Sequence, residues 1–221
     1  MLTEDYFMRM INQMLAVLTQ ILYHREAGQY QEAQELIDQS LEQLLGVPPH
    51  LLKQMDDLSL LRLLTTQGEL DPDRLAMVAN LYKLEGDLLI DQNKNREAVL
   101  DYQRALTFYL EIRLSGKDQG QNDLDGNIND LYRKLSGRKL PLEVRIQLFD
   151  YYDKQGDYLL VEEQITNLLK HDDQYREILP GIIAYYEAKL ALTDQELTAG
   201  GVSRQQLTVG LEAVIGLGDQ T

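Results

Sequence analysis

The residues in this sequence that could do metal chemistry are few and scattered. The chain has three histidines, His24, His50 and His171, and no cysteine. Zinc sites usually draw on histidine or cysteine, with carboxylates as additional ligands, and neither a His-Glu-x-x-His nor a Glu-x-x-His motif is present. His24 is predicted to pack or cap near a helix end, and His171 to follow Lys170 at a helix C-terminus, where a cation is favourable. We therefore predict no metal site and no cofactor.

The segment Asp123-x-Asp125-Gly126 has the composition of a calcium-binding loop. In an EF-hand register, with Gly126 at the sixth position, Gln121 would stand first and Tyr132 twelfth. Neither residue supplies the carboxylate that those positions require. We interpret the segment as a flexible polar turn.

Catalytic patterns are also absent from the sequence. It contains no Gly-x-x-x-x-Gly-Lys loop and no Gly-x-Ser-x-Gly elbow. Glu162 and Glu163 are adjacent on a predicted helix and point apart, so they are assigned to a solvated face. An acid–base pair needs a pocket and a perturbed pKa, and the sequence indicates neither. We predict no catalytic residue and a protein that is not an enzyme, although a buried carboxylate cluster would favour one.

Binding residues are easier to nominate than catalytic ones. Basic residues cluster between positions 133 and 139 of an otherwise acidic chain, where they could dock an acidic partner or a second copy, or form a solvated loop. Tyrosine is four times as frequent as phenylalanine, and its ring and hydroxyl suit half-buried contact positions. The predicted partner-binding residues are Tyr82, Lys83, Arg133, Lys134 and Tyr152.

Helices must position these residues, because apolar side chains recur three and four positions apart along most of the chain. The first helix, up to Gly28, has an apolar stripe broad enough for two neighbours, or for one neighbour and a second chain. Pro180 is expected to kink or restart the helix that begins at Asp172 or Asp173. The other predicted helices are 29–45, one or two short helices in 48–64, 72–92, one ending near 115, 128–135, 141–155, 157–170 and 203–215.

Charge and hydropathy exclude several classes of partner. The 221 residues carry a formal net charge of −15, which disfavours nucleic acid and anionic membranes. No apolar run approaches the ~18 residues of a membrane span. The early charges, Glu4 and Asp5, are acidic, whereas a signal peptide begins with basic residues. We expect a cytoplasmic protein.

Small residues mark a helical hairpin in the middle of the chain. Gly86 on one helix and Ala98 and Ala105 on the next stand where two backbones would approach closely. Turns at Gly28, Asn93 and Gly156 are 65 and 63 residues apart, about twice a 34-residue period. The pattern resembles the tetratricopeptide repeat, which implies antiparallel hairpins stacked in a right-handed superhelix. The alternative is an irregular helical bundle.

Some tetratricopeptide proteins grip a chaperone tail through a Lys/Asn clamp on the inner helices. Of the positions in this chain that match the clamp, only Lys83 has a suitable side chain. The resemblance therefore does not imply a chaperone-tail clamp.

Residues 1 to about 115 are also similar to an uncharacterised bacterial domain family of unknown function. The similarity lies in motifs such as Gly28-Gln29-Tyr30-x-Glu32-Ala33 and Glu85-Gly86-Asp87. It implies helical, repeat-like structure and no known activity. We predict an N-terminal helical region (1–116), a polar hinge with a short helix (117–140), and C-terminal hairpins (141–221). The alternative is that the C-terminal hairpins are continuous with the first region.

These observations lead to three hypotheses for function. The first is a non-enzymatic scaffold that binds a protein or peptide in the groove of stacked hairpins. The second is a structural or regulatory protein that forms a homodimer through its first helix. The third is an enzyme whose site is built from Asp, Glu, Tyr and Lys.

Overall fold

The chain is all-α apart from one short ribbon. The computed structural model describes residues 2–66, 69–117, 123–171 and 175–218, and of these it leaves out the side chains of residues 2–12, 66, 171 and 175. None of the helices in these ranges is both long and apolar enough to cross a bilayer. The elements are α1 (Leu2–Glu26), α2 (Tyr30–Leu45), α3 (Pro49–Leu52), α4 (Asp57–Leu63), β1 (Thr65–Thr66), β2 (Glu69–Leu70), α5 (Pro72–Asp91), α6 (Asn95–Ser115), α7 (Leu124–Lys134), α8 (Leu142–Gln155), α9 (Tyr158–His171), α10 (Tyr175–Leu190), α11 (Asp194–Ala199) and α12 (Arg204–Gly218).

Local signals set several of the helix ends. The side chain of Asp71 accepts a hydrogen bond of 3.1 Å from the Arg74 backbone N–H, and Pro72 follows at the first helical position, which confirms the predicted start of α5. Gly46 ends α2 with a φ of +69°, a conformation that glycine adopts without steric cost. These two signals fix the helices that flank the candidate site.

The chain divides into two compact units, residues 1–139 and 140–221. In the first unit, α5 and α6 form the central hairpin, α1 and α2 pack on α5, and α7 packs on α6. Ala98 and Ala105 are fully buried, as expected for small residues between closely packed helices. The α5–α6 hairpin is the frame that positions the candidate site.

The second unit has its own hairpin of α8 and α9, and in it α10 packs against α12. Arg145 is 5% exposed, and its guanidinium donates hydrogen bonds to the carbonyl oxygens of Leu140 (3.1 Å) and Asn167 (3.3 Å). This arginine therefore ties the start of α8 to α9.

The structure differs from the sequence predictions in several short segments. The predicted loop 65–69 contains strands β1 and β2, although residues 67 and 68 lie outside the described range. Helix α7 begins four residues earlier than predicted, because Asp123 accepts a hydrogen bond from the Gly126 N–H and caps it. Asp123 thus belongs to a helix cap, while much of the predicted hinge, residues 118–122, is outside the described ranges.

Two further differences lie in the second unit. Helix α10 continues through Pro180 and does not restart there, although a proline at the sixth residue of this helix removes one intrahelical hydrogen bond. Its predicted start at Asp172 or Asp173 lies outside the described residues. Helix α11 has no counterpart among the predicted helices, although Thr193 and Glu196 form a capping box at its start.

Candidate functional site

A cavity of about 590 Å³ opens in the first unit between α2, α5 and α6, next to the end of α3. Tyr82, Glu85 and Leu89 of α5 line it and are 2–8% exposed, so α5 forms its floor. Tyr30 from α2 and Leu100 from α6 line its sides and are more exposed. The cavity is therefore an open pocket with a buried floor.

Helical spacing explains why these side chains converge. Tyr82, Glu85 and Leu89 are three and four residues apart, which places them on one face of α5. On α6, Glu97, Asp101 and Arg104 repeat the same spacing, and each of them lines the pocket. The hairpin thus turns one polar stripe of each helix toward the same space.

Glu85 is a buried carboxylate at the floor of this pocket, with only 4% of its surface exposed. Its Oε1 accepts a hydrogen bond of 2.8 Å from Gln34 Nε2 and lies 3.5 Å from Lys53 Nζ. Burial raises the pKa of Glu85 above its usual range, although the charge of Lys53 and the Gln34 hydrogen bond oppose the rise. Lys53 is a loose partner, because 59% of its side chain is exposed.

Asp101 faces the same space from α6. Among the described residues, no hydrogen bond or ion pair holds its carboxylate. Burial, reinforced by the negative charge of Glu85 and opposed by Arg104, raises the pKa of Asp101 to about 8. The pocket therefore contains two carboxylates that both favour a proton or an added cation.

Tyr82 and Arg104 complete the floor. The Arg104 guanidinium carbon lies 4.9 Å from the centroid of the Tyr82 ring. Arg104 is also committed elsewhere, since its Nε donates to Asp57 Oδ1 and its Nη2 to the Met55 carbonyl oxygen, both at 2.8 Å. Its positive charge is therefore already shared with α4 and the segment before it.

The Tyr82 hydroxyl is buried and has no hydrogen-bond partner of normal geometry within the described part of the chain. Burial raises the pKa of Tyr82 to about 12, although the nearby Arg104 opposes this. A polar atom without a partner in a pocket wall is a group to which a ligand could form a hydrogen bond.

Three of the sequence-predicted binding residues meet at a different place, between α5 and α7. Lys83 Nζ lies 2.8 Å from Asp130 Oδ2 and donates a 2.8 Å hydrogen bond to Asn127 Oδ1. Lys134 pairs with Asp87 and lies 3.8 Å from Asp130. Arg133, whose side chain is 79% exposed, lies 3.5 Å from Asp130. The charges of Lys83 and Lys134 thus join helices of the first unit.

The other two predicted binding residues lie apart from this group. Tyr82 is in the pocket described above. Tyr152 belongs to the second unit, is 3% exposed, and packs its ring 5.0 Å from that of Tyr151. The structure therefore brings together Lys83, Arg133 and Lys134, and places Tyr82 and Tyr152 elsewhere.

The sequence analysis missed Glu85 and Asp101. A signal for Glu85 was available, since it follows Tyr82 by three residues and precedes Leu89 by four, on a face that is otherwise apolar. Asp101 had no comparable signal, because its environment depends on how α6 meets α5.

His24 and His50 do not line the pocket. His24 Nδ1 lies 2.7 Å from Gln29 Oε1, across the turn between α1 and α2. The side chain of His171 lies outside the described residues. In the described ranges, His, Asp and Glu side chains form no group of three or more able to hold a metal ion.

Comparison with known proteins gives one family match. A model described as a family of unknown function, DUF6483, matches residues 1–217. This confirms the predicted similarity to an uncharacterised domain family and extends it from about residue 115 through the second unit. No curated protein and no solved structure matches the chain.

Proposed function

We propose that this chain, which belongs to the family of unknown function DUF6483, is a scaffold that binds a protein or peptide partner. In this proposal the helical hairpins stack in a tetratricopeptide-like manner, and the binding surface includes the pocket between α2, α5 and α6. The proposed compartment is the cytoplasm. Catalysis, nucleic-acid binding and membrane binding are not part of the proposal.

The pocket is the observation that carries the proposal. Ligand sites are concave and combine apolar surface with a few fixed polar groups. Leu89 and Leu100 supply apolar surface here, and Tyr30 and Tyr82 supply rings of the type enriched at protein interfaces. Glu85 on its floor and Asp101 on α6 supply carboxylates that a side chain of a partner could contact.

Binding fits this pocket better than catalysis, even though a buried carboxylate pair favours an enzyme. The described residues that line it include no Ser, Thr, Cys or His that could act as a nucleophile. Tyr82, which does line it, has its pKa raised to about 12 and stays protonated near neutral pH. A protonated phenol is a poor nucleophile, so Tyr82 does not support covalent chemistry at this pocket.

Selection from a random peptide display library tests the proposal. We expect the full-length protein to enrich a family of related peptides. The substitution Leu100→Arg, at a pocket residue that is 66% exposed, should block the pocket and abolish the enrichment.

Leu58→Arg is the matched control, because Leu58 is 61% exposed, belongs to the same unit and does not line the pocket. It should preserve the enrichment. If no peptide is enriched by the folded protein, or if Leu100→Arg leaves the selected family unchanged, the proposed function is wrong.

A second candidate function, self-association through α1, is favoured by a different observation. Leu15 and Leu22, seven residues apart, are 56% and 41% exposed, and Tyr23 beside them is 66% exposed. Residues seven apart share one helix face, so this part of α1 presents an apolar stripe to solvent. A second copy could cover the stripe in a two-fold symmetric contact.

Light scattering coupled to size exclusion tests self-association. A dimer at micromolar concentration that dissociates in Leu15→Glu, but not in Leu58→Glu, would support the second candidate. A monomer for the unaltered protein would remove it and leave the peptide-binding proposal intact.

A further inference from the structure

Glu85, which is buried, and Asp101, which is half-buried, have few firm cationic partners in the pocket. Glu85 is 4% exposed, and its cationic neighbour Lys53 lies 3.5 Å away with most of its side chain in solvent. Asp101 has no hydrogen bond or ion pair within the described residues. Because a buried carboxylate is stable only when it is paired or protonated, this arrangement leaves room for one more positive charge.

Arg104, another cation in the pocket lining, does not fill that room. Arg104 directs its Nε to Asp57 and its Nη2 to the Met55 carbonyl oxygen. These contacts hold the guanidinium against α4 and the segment before it, with its charge shared between Asp57 and the Tyr82 ring. Arg104 therefore influences Asp101 electrostatically without pairing with it.

An independent observation points to a ligand at the same place. Tyr82 lines the pocket and is 98% buried, and within the described residues its hydroxyl has no hydrogen bond of normal geometry, although Arg104 lies close enough to lower its pKa. A hydroxyl oxygen can accept a hydrogen bond from a cationic N–H donor. Two carboxylates and this hydroxyl acceptor match the several N–H donors of a guanidinium.

We propose that the pocket recognises a partner peptide through an arginine side chain, whose guanidinium enters the space bounded by Glu85, Asp101 and Tyr82. This inference rests on the proposed peptide-binding function and names the chemistry of its ligand. The aliphatic part of the arginine packs on Leu89 and Leu100, and Lys53 moves further into solvent as the guanidinium takes its place beside Glu85.

Arginine and citrulline provide a matched pair of ligands, because citrulline keeps the length and most hydrogen-bonding groups of arginine but carries no charge. Both amino acids, acetylated at the N-terminus and amidated at the C-terminus, are titrated into the full-length protein. The signals followed are the NMR resonances of the Glu85 and Asp101 carboxyl carbons. We expect saturable shifts with the arginine compound and at least about tenfold weaker binding of the citrulline compound.

Variants locate the binding site within the protein. Glu85→Gln and Asp101→Asn should each weaken arginine binding by about tenfold or more, whereas Glu42→Gln, at an exposed carboxylate of α2 outside the pocket, should leave it within about twofold. Bound arginine should also lower the pKa of Asp101, because a nearby cation stabilises the ionised form. The citrulline comparison needs no variant, so it remains valid if a substitution unfolds the protein.

The outcomes separate this inference from the function on which it rests. Equal binding of the two compounds, or no saturable shift with either, would overturn the arginine inference. Peptide enrichment that disappears in Leu100→Arg would still support peptide binding in that case. If the arginine compound binds but no peptide is enriched, the arginine site is supported and the proposed scaffold function is wrong.

Discussion

The ring of Tyr102 covers Gly86 so closely that a methyl group built on Gly86 would lie 2.6 Å from two ring carbons. The Tyr102 hydroxyl donates a hydrogen bond of 2.6 Å to Asp87 Oδ1, which fixes the ring in that position. The same contact places Glu85, the residue before Gly86, and Asp101, the residue before Tyr102, on the side that faces the pocket. The packing of the hairpin therefore also determines the geometry of the candidate site.

We expect Gly86→Ala to destabilise the first unit. The added carbon must displace a ring that Asp87 holds, which typically costs about 1–3 kcal/mol and exceeds the gain of about 1 kcal/mol from replacing glycine in a helix. Denaturant unfolding measures the change. In a Tyr102→Leu background the same substitution should cost less or become stabilising, and an equal cost in both backgrounds would show that the ring is not the obstacle.

Ala98→Leu tests the other side of the hairpin contact. Ala98 is fully buried near the start of α6, so a larger side chain should overpack the contact and lower the free energy of unfolding by about 1–3 kcal/mol. Gln39→Leu, at an exposed position of α2, should change it little. A neutral Ala98→Leu would mean that α6 does not approach its neighbours as closely as described.

Asp87 joins four helices of the first unit. It accepts the Tyr102 hydroxyl from α6, lies 3.2 Å from an Arg25 nitrogen of α1, and pairs with Lys134 of α7. Its side chain is 14% exposed, so Asp87→Asn should lower the free energy of unfolding by about 1–3 kcal/mol.

A comparison with an exposed ion pair separates this effect from a general loss of surface charge. Glu69, which is 75% exposed, pairs with Lys117, and screening by water should make Glu69→Gln nearly neutral. Thermal or chemical unfolding of both variants gives the comparison. Similar losses for Asp87→Asn and Glu69→Gln would contradict the role of Asp87 as a junction.

The raised pKa of Asp101 predicts a pH dependence with a definite sign. Between its ordinary value of 3.8 and about 8, the unfolded chain releases the proton while the folded chain retains it. The unfolded state then binds fewer protons, so this group makes the free energy of unfolding fall as pH rises, by at most about 1.4 kcal/mol per pH unit.

The measurement is the difference in unfolding free energy between Asp101→Asn and the unaltered protein from pH 4 to pH 8. Asparagine cannot ionise, so the variant should gain relative stability as pH rises through this window. The charges near Asp101 are those of Glu85, Glu97, Arg104 and Lys53, and they are common to both proteins. A difference that stays constant with pH would show that the surroundings of Asp101 do not raise its pKa.

Asp130 should give a pH dependence of stability opposite in sign to that of Asp101. Burial raises its pKa, but the hydrogen bond and charge of Lys83 and the charge of Lys134 outweigh burial and leave the pKa lowered. A carboxyl with a lowered pKa stabilises the fold above its ordinary pKa, and this contribution is lost as pH falls. Asp130→Asn should therefore lose relative stability as pH rises from the acid range, where Asp101→Asn gains it.

The sequence predicted the structural features that depend on residues close together in the chain. Asp71-Pro72 and Gly46 mark helix ends through short-range hydrogen bonds and backbone conformation, and the small residues Gly86 and Ala98 mark the hairpin. Such signals lie within a few residues of the feature they determine, so one sequence suffices to read them.

The candidate site could not be read in the same way. Asp101 and Glu85 are sixteen residues apart, and their raised pKa values follow from the packing of α2 and α6 on either side of α5. Lys83 and Lys134 were predicted to bind a partner because they are basic. In the structure they instead form ion pairs with Asp130 and Asp87 of the same unit. Charge signs are visible in a sequence, but their burial and pairing arise from tertiary structure.

The central claim is that the pocket between α2, α5 and α6 holds the partner, and site-specific photo-crosslinking tests it most directly. A photoreactive amino acid is placed at Gln34, which lines the pocket, or at Gln39, which is exposed on the same helix outside it. Each protein is irradiated with the peptide family selected by the unaltered chain, and mass spectrometry identifies the adducts. The account predicts adducts from position 34 and none from position 39; adducts from position 39 alone, or equal yields from both, would contradict it.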